Sequence, residues 1–331
     1  MTPNAYVLIH FGSNPVYLEL ELYFLIMLKK YTTYDIVYMY SSVDTPKEYV
    51  RAVRMLGGIH TRPFNDRGVT YEISYPSAYP SFNTLRTCDF IFAYKLTQYT
   101  KICIIESDMV ILQNIDDIFT MNSPAIVVYD RQRPMWANTN YKITGTGTGK
   151  NSLNNCREGS GVNGGILIIE PSRAVFEKYI SAIPAIVAAE CKYPNEALFK
   201  YVNDVYYNLP VKYNTSHYHL KRLIGPGTGH TKAPLRLKDV AVVHFNETPY
   251  KHLDIIKTPI DENGIDWLSD ILRPGGHHPK RHSIEYYYKE VYLPNVDRVS
   301  ELLRGVRRTP RKRCPNGTRK NRKTGKCDPR P

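Results

Sequence analysis

Short apolar runs alternate with longer stretches of helical spacing along roughly the first 250 residues. Ala5 to Phe11 is an apolar run closed by Gly12, Ser13 and Pro15, which predicts a buried strand. Leu18, Leu22, Leu25 and Ile26 then recur at helical spacing through to Lys29 and Lys30. Asp35 to Tyr40 predicts a second strand, and Thr45-Pro46 opens a helix that Gly57-Gly58 closes. Phe82 to Leu96 has helical spacing. Lys101 to Ile105, Ala125 to Tyr129, Gly164 to Ile169 and Val240 to Phe245 predict further strands. Pro171 opens a helix, and another covers Asn195 to Asn203. The alternation predicts an α/β fold: a mainly parallel sheet with helices on both faces. Arg131 to Gly161 is polar and rich in Gly, Asn and Thr, so it reads as a long mobile loop; its Gly145-Thr146-Gly147-Thr148-Gly149-Lys150 string lacks the spacing of a phosphate loop and reads as a flap over substrate. The pattern weakens after Pro259 and gives way to low-complexity basic sequence from Thr309. The expected division is a main domain over 1–260, an extension packing on it over 261–306, and a disordered basic tail over 307–331.

Charge sharpens that division. The chain carries a net +13, yet Arg307 to Pro331 holds eleven Lys/Arg and one Asp, a net of +10. The preceding 306 residues hold 33 basic and 30 acidic groups, a net of +3. Polyanion binding, if any, therefore belongs to the tail, through phosphates and without reading sequence; a solvated tail is the plain alternative. Hydrophobic content of 42% supports a sizeable core, and no apolar run approaches the roughly 20 residues of a membrane span. Val16 to Leu28 contains Glu19 and Glu21 and has no basic leader, so no signal peptide is read and a cytoplasmic, non-secreted protein is expected. Without such a signal, the sequon at Asn214-Thr215-Ser216 reads as coincidence. The six cysteines show no C-x-x-C spacing, which argues against a zinc site; the first four, Cys88, Cys103, Cys156 and Cys191, read as free buried thiols or surface residues.

The candidate chemistry centres on Glu106-Ser107-Asp108, immediately after the apolar run that ends at Ile105. Ligands of parallel α/β sheets bind beyond the C-terminal strand ends. Alternate residues of an extended chain point the same way, so Glu106 and Asp108 can face one hard cation, magnesium or manganese, of the kind that bridges diphosphate oxygens. The spacing alone is equally consistent with a strand-end pair capping the next turn. His244, at the end of its own strand, is a third candidate ligand if that strand lies beside the first; Lys251 is a candidate phosphate contact. Gly161-Val162-Asn163-Gly164-Gly165 can bring backbone close to a ligand, or can be a plain turn.

These residues resemble the family-8 retaining glycosyltransferases, to which glycogenin belongs. The likeness spans about Ala5 to Leu253 and is densest in Leu96-Thr97-Gln98-Tyr99-Thr100-Lys101, Glu106-Ser107-Asp108 and Asn114-Ile115-Asp116-Asp117-Ile118-Phe119. The resemblance implies a GT-A fold, Mn2+ (or Mg2+) and a UDP-sugar donor, UDP-glucose first. It implies Glu106, Asp108 and His244 as metal ligands, with Ile9, Phe11 and Tyr17 about the uracil and Ser107 about the ribose. It puts Arg86 and Asn163, Gly164 and Gly165 near the donor sugar and Lys251 on the diphosphate. It implies transfer to a hydroxyl of a glycan or protein.

The sequence departs from the family at telling places. The first metal aspartate is Glu106 here, the Asp-Gln pair near the reacting sugar is Asn195-Glu196, and Glu247 stands where a glycine is usual. Asn195 and Glu196 remain the matched catalytic candidates. Glycogenin modifies its own tyrosine; here Tyr218 is near the matching segment but not at the matching position. The tail's Cys314-Pro315-Asn316-Gly317-Thr318-Arg319 is similar to a module of large DNA viruses, which implies a viral enzyme in host cytoplasm or virion. Two alternatives stand beside the enzyme: a nucleotide-sugar-binding protein with little turnover, and a polyanion binder acting through the tail. Pairing with a second copy is left open.

Overall fold

The computed structural model describes residues 3–64, 85–128, 139–144, 153, 156, 161–216, 237–245, 252–257, 281–307, 318–320 and 327–329. An eight-stranded sheet, in the order β3-β2-β1-β4-β8-β6-β9-β7, forms its centre. The strands are β1 Ala5–His10, β2 Asp35–Ser41, β3 His60–Phe64, β4 Ile102–Ile105, β6 Ala125–Val128, β7 Lys142–Thr144, β8 Val162–Ile169 and β9 Val205–Asn208. Six run one way; β8 and the edge strand β7 run against them. A small sheet, β10-β11-β5, is built from Thr215–Ser216, Val242–His244 and Met109–Ile111.

The central strands are apolar on both faces because both faces are covered. Tyr6, Leu8, Cys103 and Ile105 enter one core, and Val7, Ile102 and Ile104 enter the other. The first core is completed by α1 Pro15–Tyr31 and α2 Lys47–Met55. Asn14 caps α1 by accepting the Val16 N–H at 3.1 Å, with Pro15 at the first turn. Lys29 Nζ donates to the Leu56 and Gly57 carbonyls, which closes the end of α2. The second core is covered by α3 Arg173–Ala189, α4 Pro194–Val202 and the segment Leu85–Lys95.

Several expectations are corrected. Leu85–Lys95 winds as successive 3-10 turns rather than as an α-helix. Phe90 to Tyr94 are all buried, so no single helical stripe exists to favour the wider winding, and the Arg86–Asp89 ion pair fits the tighter one. The expected loop over 131–161 contains β7, whose Lys-Ile-Thr buries only Ile143, too short a signal to read. Cys156 and Cys191 form a disulfide rather than remaining thiols, while Cys88 and Cys103 are buried thiols as expected. Beyond Pro259, helices cover Arg281–Tyr287 and Leu293–Arg307, joined by a wider turn over Tyr288–Tyr292. Tyr287, Val291, Val299, Leu302 and Leu303 belong to the first core. Within the basic tail, Thr318–Lys320 and Cys327–Pro329 pair as a short antiparallel ribbon. Among the described residues no helix is long and apolar enough to cross a membrane.

Candidate metal centre

Strand β4 delivers its four buried residues and stops at the first carboxylate. Glu106 keeps its backbone on the sheet by donating its N–H to the Gly165 carbonyl at 3.0 Å. After the turn at Ser107 and Asp108 the chain re-enters the core as β5, which pairs antiparallel with β11. In that register His244 lies opposite Met109, and the Phe245 N–H donates to the Asp108 carbonyl at 2.9 Å. The ladder therefore sets the imidazole beside both acids. His244 Nε2 is 3.2 Å from Asp108 Oδ1 and 3.3 Å from Glu106 Oε2. The ligand atoms of the three residues all lie within 4.8 Å of one another. The His244 side chain is 3% exposed, that of Asp108 15% and that of Glu106 48%, so the cluster opens to solvent on the Glu106 side.

The tautomer of His244 follows from one backbone N–H. The Gly165 N–H can only donate, and it meets Asn163 Oδ1 at 3.0 Å. The Asn214 atom 2.7 Å from that same oxygen must then be the amide nitrogen. Its other atom, Oδ1, accepts from His244 Nδ1 at 2.9 Å. The proton of the neutral ring thus sits on Nδ1, and Nε2 presents its lone pair to two carboxylates. Three acceptor groups facing one another repel unless a positive charge lies among them. Without a metal that charge is a proton: burial pulls the His244 pKa down, but Asp108 and then Glu106 outweigh it and hold it at about 9. With a divalent cation the same atoms form an N,O,O ligand set suited to manganese or magnesium. The residues present therefore fit the metal that the sequence implied.

Glycines let these parts close on one another. A Cβ on Gly165 would stand 2.3 Å from His244 Cε1 and 2.6 Å from Met109 Cε. A Cβ on Gly164 would stand 2.7 Å from the Asn195 amide nitrogen. The Gly164 N–H donates to Glu196 Oε1 at 3.1 Å, and Glu196 is buried near the start of α4. Asn163, Gly164, Gly165, Asn195 and Glu196 thus form one wall beside the Glu106, Asp108 and His244 cluster. A disulfide anchors the approach to α4, because Cys191 shortly precedes that helix and Lys192 N–H donates to the Cys156 carbonyl at 3.0 Å.

The remaining candidates gather at the end of β1. Strands β1 and β4 are parallel neighbours, Val7 opposite Ile104, so both chain exits leave the same edge of the sheet. Ile9 is half-buried, while Phe11 and Tyr17 are exposed. The Arg86 guanidinium lies 5.3 Å above the Phe11 ring and pairs with Asp44 at 3.0 Å and Asp89 at 2.9 Å. Lys251, Glu247, Tyr218 and the Gly145–Lys150 string lie outside the described residues. Sequence reading missed Asn214, which it met only as part of a sequon. Asn214 is fully buried on His244 and Asn163, so that sequon serves packing.

No family model matches the chain, and no curated protein matches it. Among solved structures it is similar to an active-site mutant of LgtC, with a TM-score of 0.53 at 11% identity over 90% of this chain and 95% of that one. It is also similar to galactosyltransferase LgtC in complex with donor and acceptor sugar analogues, with a TM-score of 0.50 at 12% identity over 80% of this chain and 91% of that one. At such identity the likeness establishes the fold, a GT-A type α/β architecture.

Proposed function

We propose that the protein is a cation-dependent retaining glycosyltransferase that moves a hexose, glucose first, from a UDP-sugar to a hydroxyl of a glycan or protein. The observation that supports this reading is the convergence of Glu106, Asp108 and His244 at the C-terminal edge of the sheet, against the Asn163-Gly164-Gly165 backbone. The shared fold adds weight, since LgtC was solved with donor and acceptor sugar analogues. In this reading Ile9, Phe11 and Tyr17 receive the uracil, the Ser107 backbone the ribose, and Lys251 the diphosphate. Arg86 and the Asn163 to Gly165 wall border the sugar. Glu106, Asp108 and His244 hold Mn2+ or Mg2+, and Asn214 keeps Nε2 aimed at it. When bound, that ion supplies positive charge against the diphosphate oxygens as the nucleotide leaves.

Transfer breaks the bond from the anomeric carbon to the phosphate oxygen and forms one to the acceptor oxygen on the same face; the acceptor proton goes to the departing diphosphate. Glu196 is turned to the Gly164 N–H. We therefore assign Glu196 and Asn195 to shaping the sugar subsite, with no covalent intermediate on the carboxylate. A hydroxyl of the chain itself is an acceptor to test, Tyr218 first.

Incubation with individual UDP-sugars, followed by measurement of UDP release and intact mass, tests the reading. Release from UDP-glucose is expected with Mn2+ and not with a chelator, and added hexose mass would report self-modification. No release from any common UDP-sugar overturns catalysis. The binding-protein alternative then stands, favoured by Asn195 where the family pattern has a carboxylate. The tail is assigned to polyanions: removing 309–331, beyond the helix that buries Leu302 and Leu303, should spare transfer and abolish retention on DNA. Loss of transfer with the tail would overturn that division. We place the enzyme in the cytoplasm of an infected cell or the virion on the strength of the tail module. The Cys156–Cys191 bond adds a condition, since such bonds persist in oxidising surroundings.

A further inference from the structure

The end of β1 holds a buried charged cluster that the metal chemistry does not use. His10 and Glu21 are 2% and 4% exposed. His10 Nδ1 lies 2.8 Å from Glu21 Oε1, and His10 Nε2 lies 3.1 Å from the Gly12 carbonyl oxygen. Both partners are acceptors. Satisfying both requires a proton on each ring nitrogen, so this geometry belongs to the imidazolium. The other oxygen of Glu21 accepts from Tyr38 OH at 2.8 Å, which keeps the carboxylate anchored beneath the ring.

Gly12 is the hinge of the segment between β1 and α1. Its φ of +85° is one that L side chains rarely adopt. Its carbonyl is held by His10, and its N–H is held by the Asp44 carboxylate. Asp44 in turn pairs with Arg86, which covers Phe11. Gly12 is thus held through both successive peptide groups that flank its α-carbon, and the residue before it, Phe11, is a candidate wall for the base.

We propose that His10 is a positioning residue for nucleotide recognition: as a cation it fixes the Gly12 carbonyl, and affinity for the nucleoside falls when that proton is lost. This rests on the function proposed above. The titratable groups around the ring are Glu21 on α1, Tyr38 on β2, Tyr49 on α2 and Asp44 after β2. Burial disfavours the cation, but Glu21 outweighs it and raises the His10 pKa above its ordinary value. Burial pushes the Tyr38 and Tyr49 phenols up, so they stay neutral through the range in which His10 titrates. The switch therefore belongs to His10.

Uridine is the probe, because it carries no phosphate and needs no metal. Its affinity is measured by calorimetry on the full chain from about pH 6 to about pH 8.5. The wild type is expected to weaken roughly tenfold as pH rises, the size of one lost charge-assisted hydrogen bond. His10→Gln, whose amide offers Gly12 one N–H at every pH, should bind with a flat profile. A flat wild-type profile, or an equal slope in the variant, overturns the proposal. Should the variant not fold, the ring resonances of His10 in the wild type decide: binding that prefers the cation must raise its pKa on adding uridine, and an unmoved pKa overturns the role. Absence of binding by both uridine and UDP with Mn2+ is the different outcome that sinks the nucleotide-donor reading itself.

Discussion

Two buried histidines end neighbouring parts of the structure, and both sit against carboxylates. At the end of β1, His10 meets Glu21 on one side and a carbonyl on the other. The pair balances: one positive ring, one negative carboxylate, closed from solvent. At the end of β11, His244 gives its Nδ1 proton to Asn214 and turns Nε2 to Asp108 and Glu106 together. There the negative charge exceeds what one ring can match, and Glu106 leaves the cluster open. A closed, balanced pair fixes the chain; an open cluster with surplus negative charge has the composition that suits a cation from outside. Residue type does not separate the two ends. What separates them is the count of carboxylates and the direction of a single amide.

The sharpest way to break this contrast is to remove the surplus charge. Asp108→Ala should abolish Mn2+-dependent UDP release while the fold survives, because it is the Asp108 backbone carbonyl that ties β5 to β11. Loss of a group that merely orients a ligand costs about 10–100-fold, so loss of a ligand should exceed that. Turnover unchanged from wild type would reject the site. Gly165→Ala should come next. The added methyl must displace His244 or Met109, and overpacking of about 1–3 kcal/mol that shifts a ligand lowers turnover by roughly 10–100-fold. A variant with full turnover and an unshifted melting temperature would show that the imidazole is not held as described. Asn214→Ala should be milder. It leaves the ligands in place but releases the tautomer, so the Mn2+ concentration for half-maximal activity should rise about tenfold with kcat little changed. No change in metal requirement would separate Asn214 from the ligand it touches.

The pattern of the chain carried the apolar central strands of the main sheet but not β3, β7 or β9, and it carried the small sheet poorly. Val7, Ile104 and Ile168 sit in long enough apolar runs to be read directly, whereas β5 and β10 are three and two residues long. The Glu106–Asp108 pair was legible because a strand end places alternate side chains on one side. Its convergence with His244 was expected only through the family resemblance, because periodicity alone does not give the antiparallel pairing across more than a hundred residues on which it depends. Asn214 gave no periodic signal at all. The C-terminal helices were hidden because tyrosines such as Tyr287 and Tyr292 supply their packing beside charged neighbours, which blurs a helical stripe. The His10–Glu21 contact joins a strand end to a helix face eleven residues on, and Glu21 read as evidence against a signal peptide when its place is in the core.

The smallest expected effect concerns the closed end alone. Because the folded-state pKa of His10 is raised, its contribution to stability is fully present below the pKa of an unfolded-chain histidine, about 6.5. It is lost as pH rises through the higher folded value, where the folded protein releases its extra proton. Metal-free His244 contributes with the same sign, so the slope of the wild type by itself mixes the two. The difference between wild type and His10→Gln in urea unfolding cancels the His244 part, since the two rings share no partner. That difference should favour the wild type most at low pH and shrink as pH rises. A difference that stays constant would mean that the ring between Glu21 and Gly12 is neutral, and the two histidine sites would then differ in more than their balance of charge.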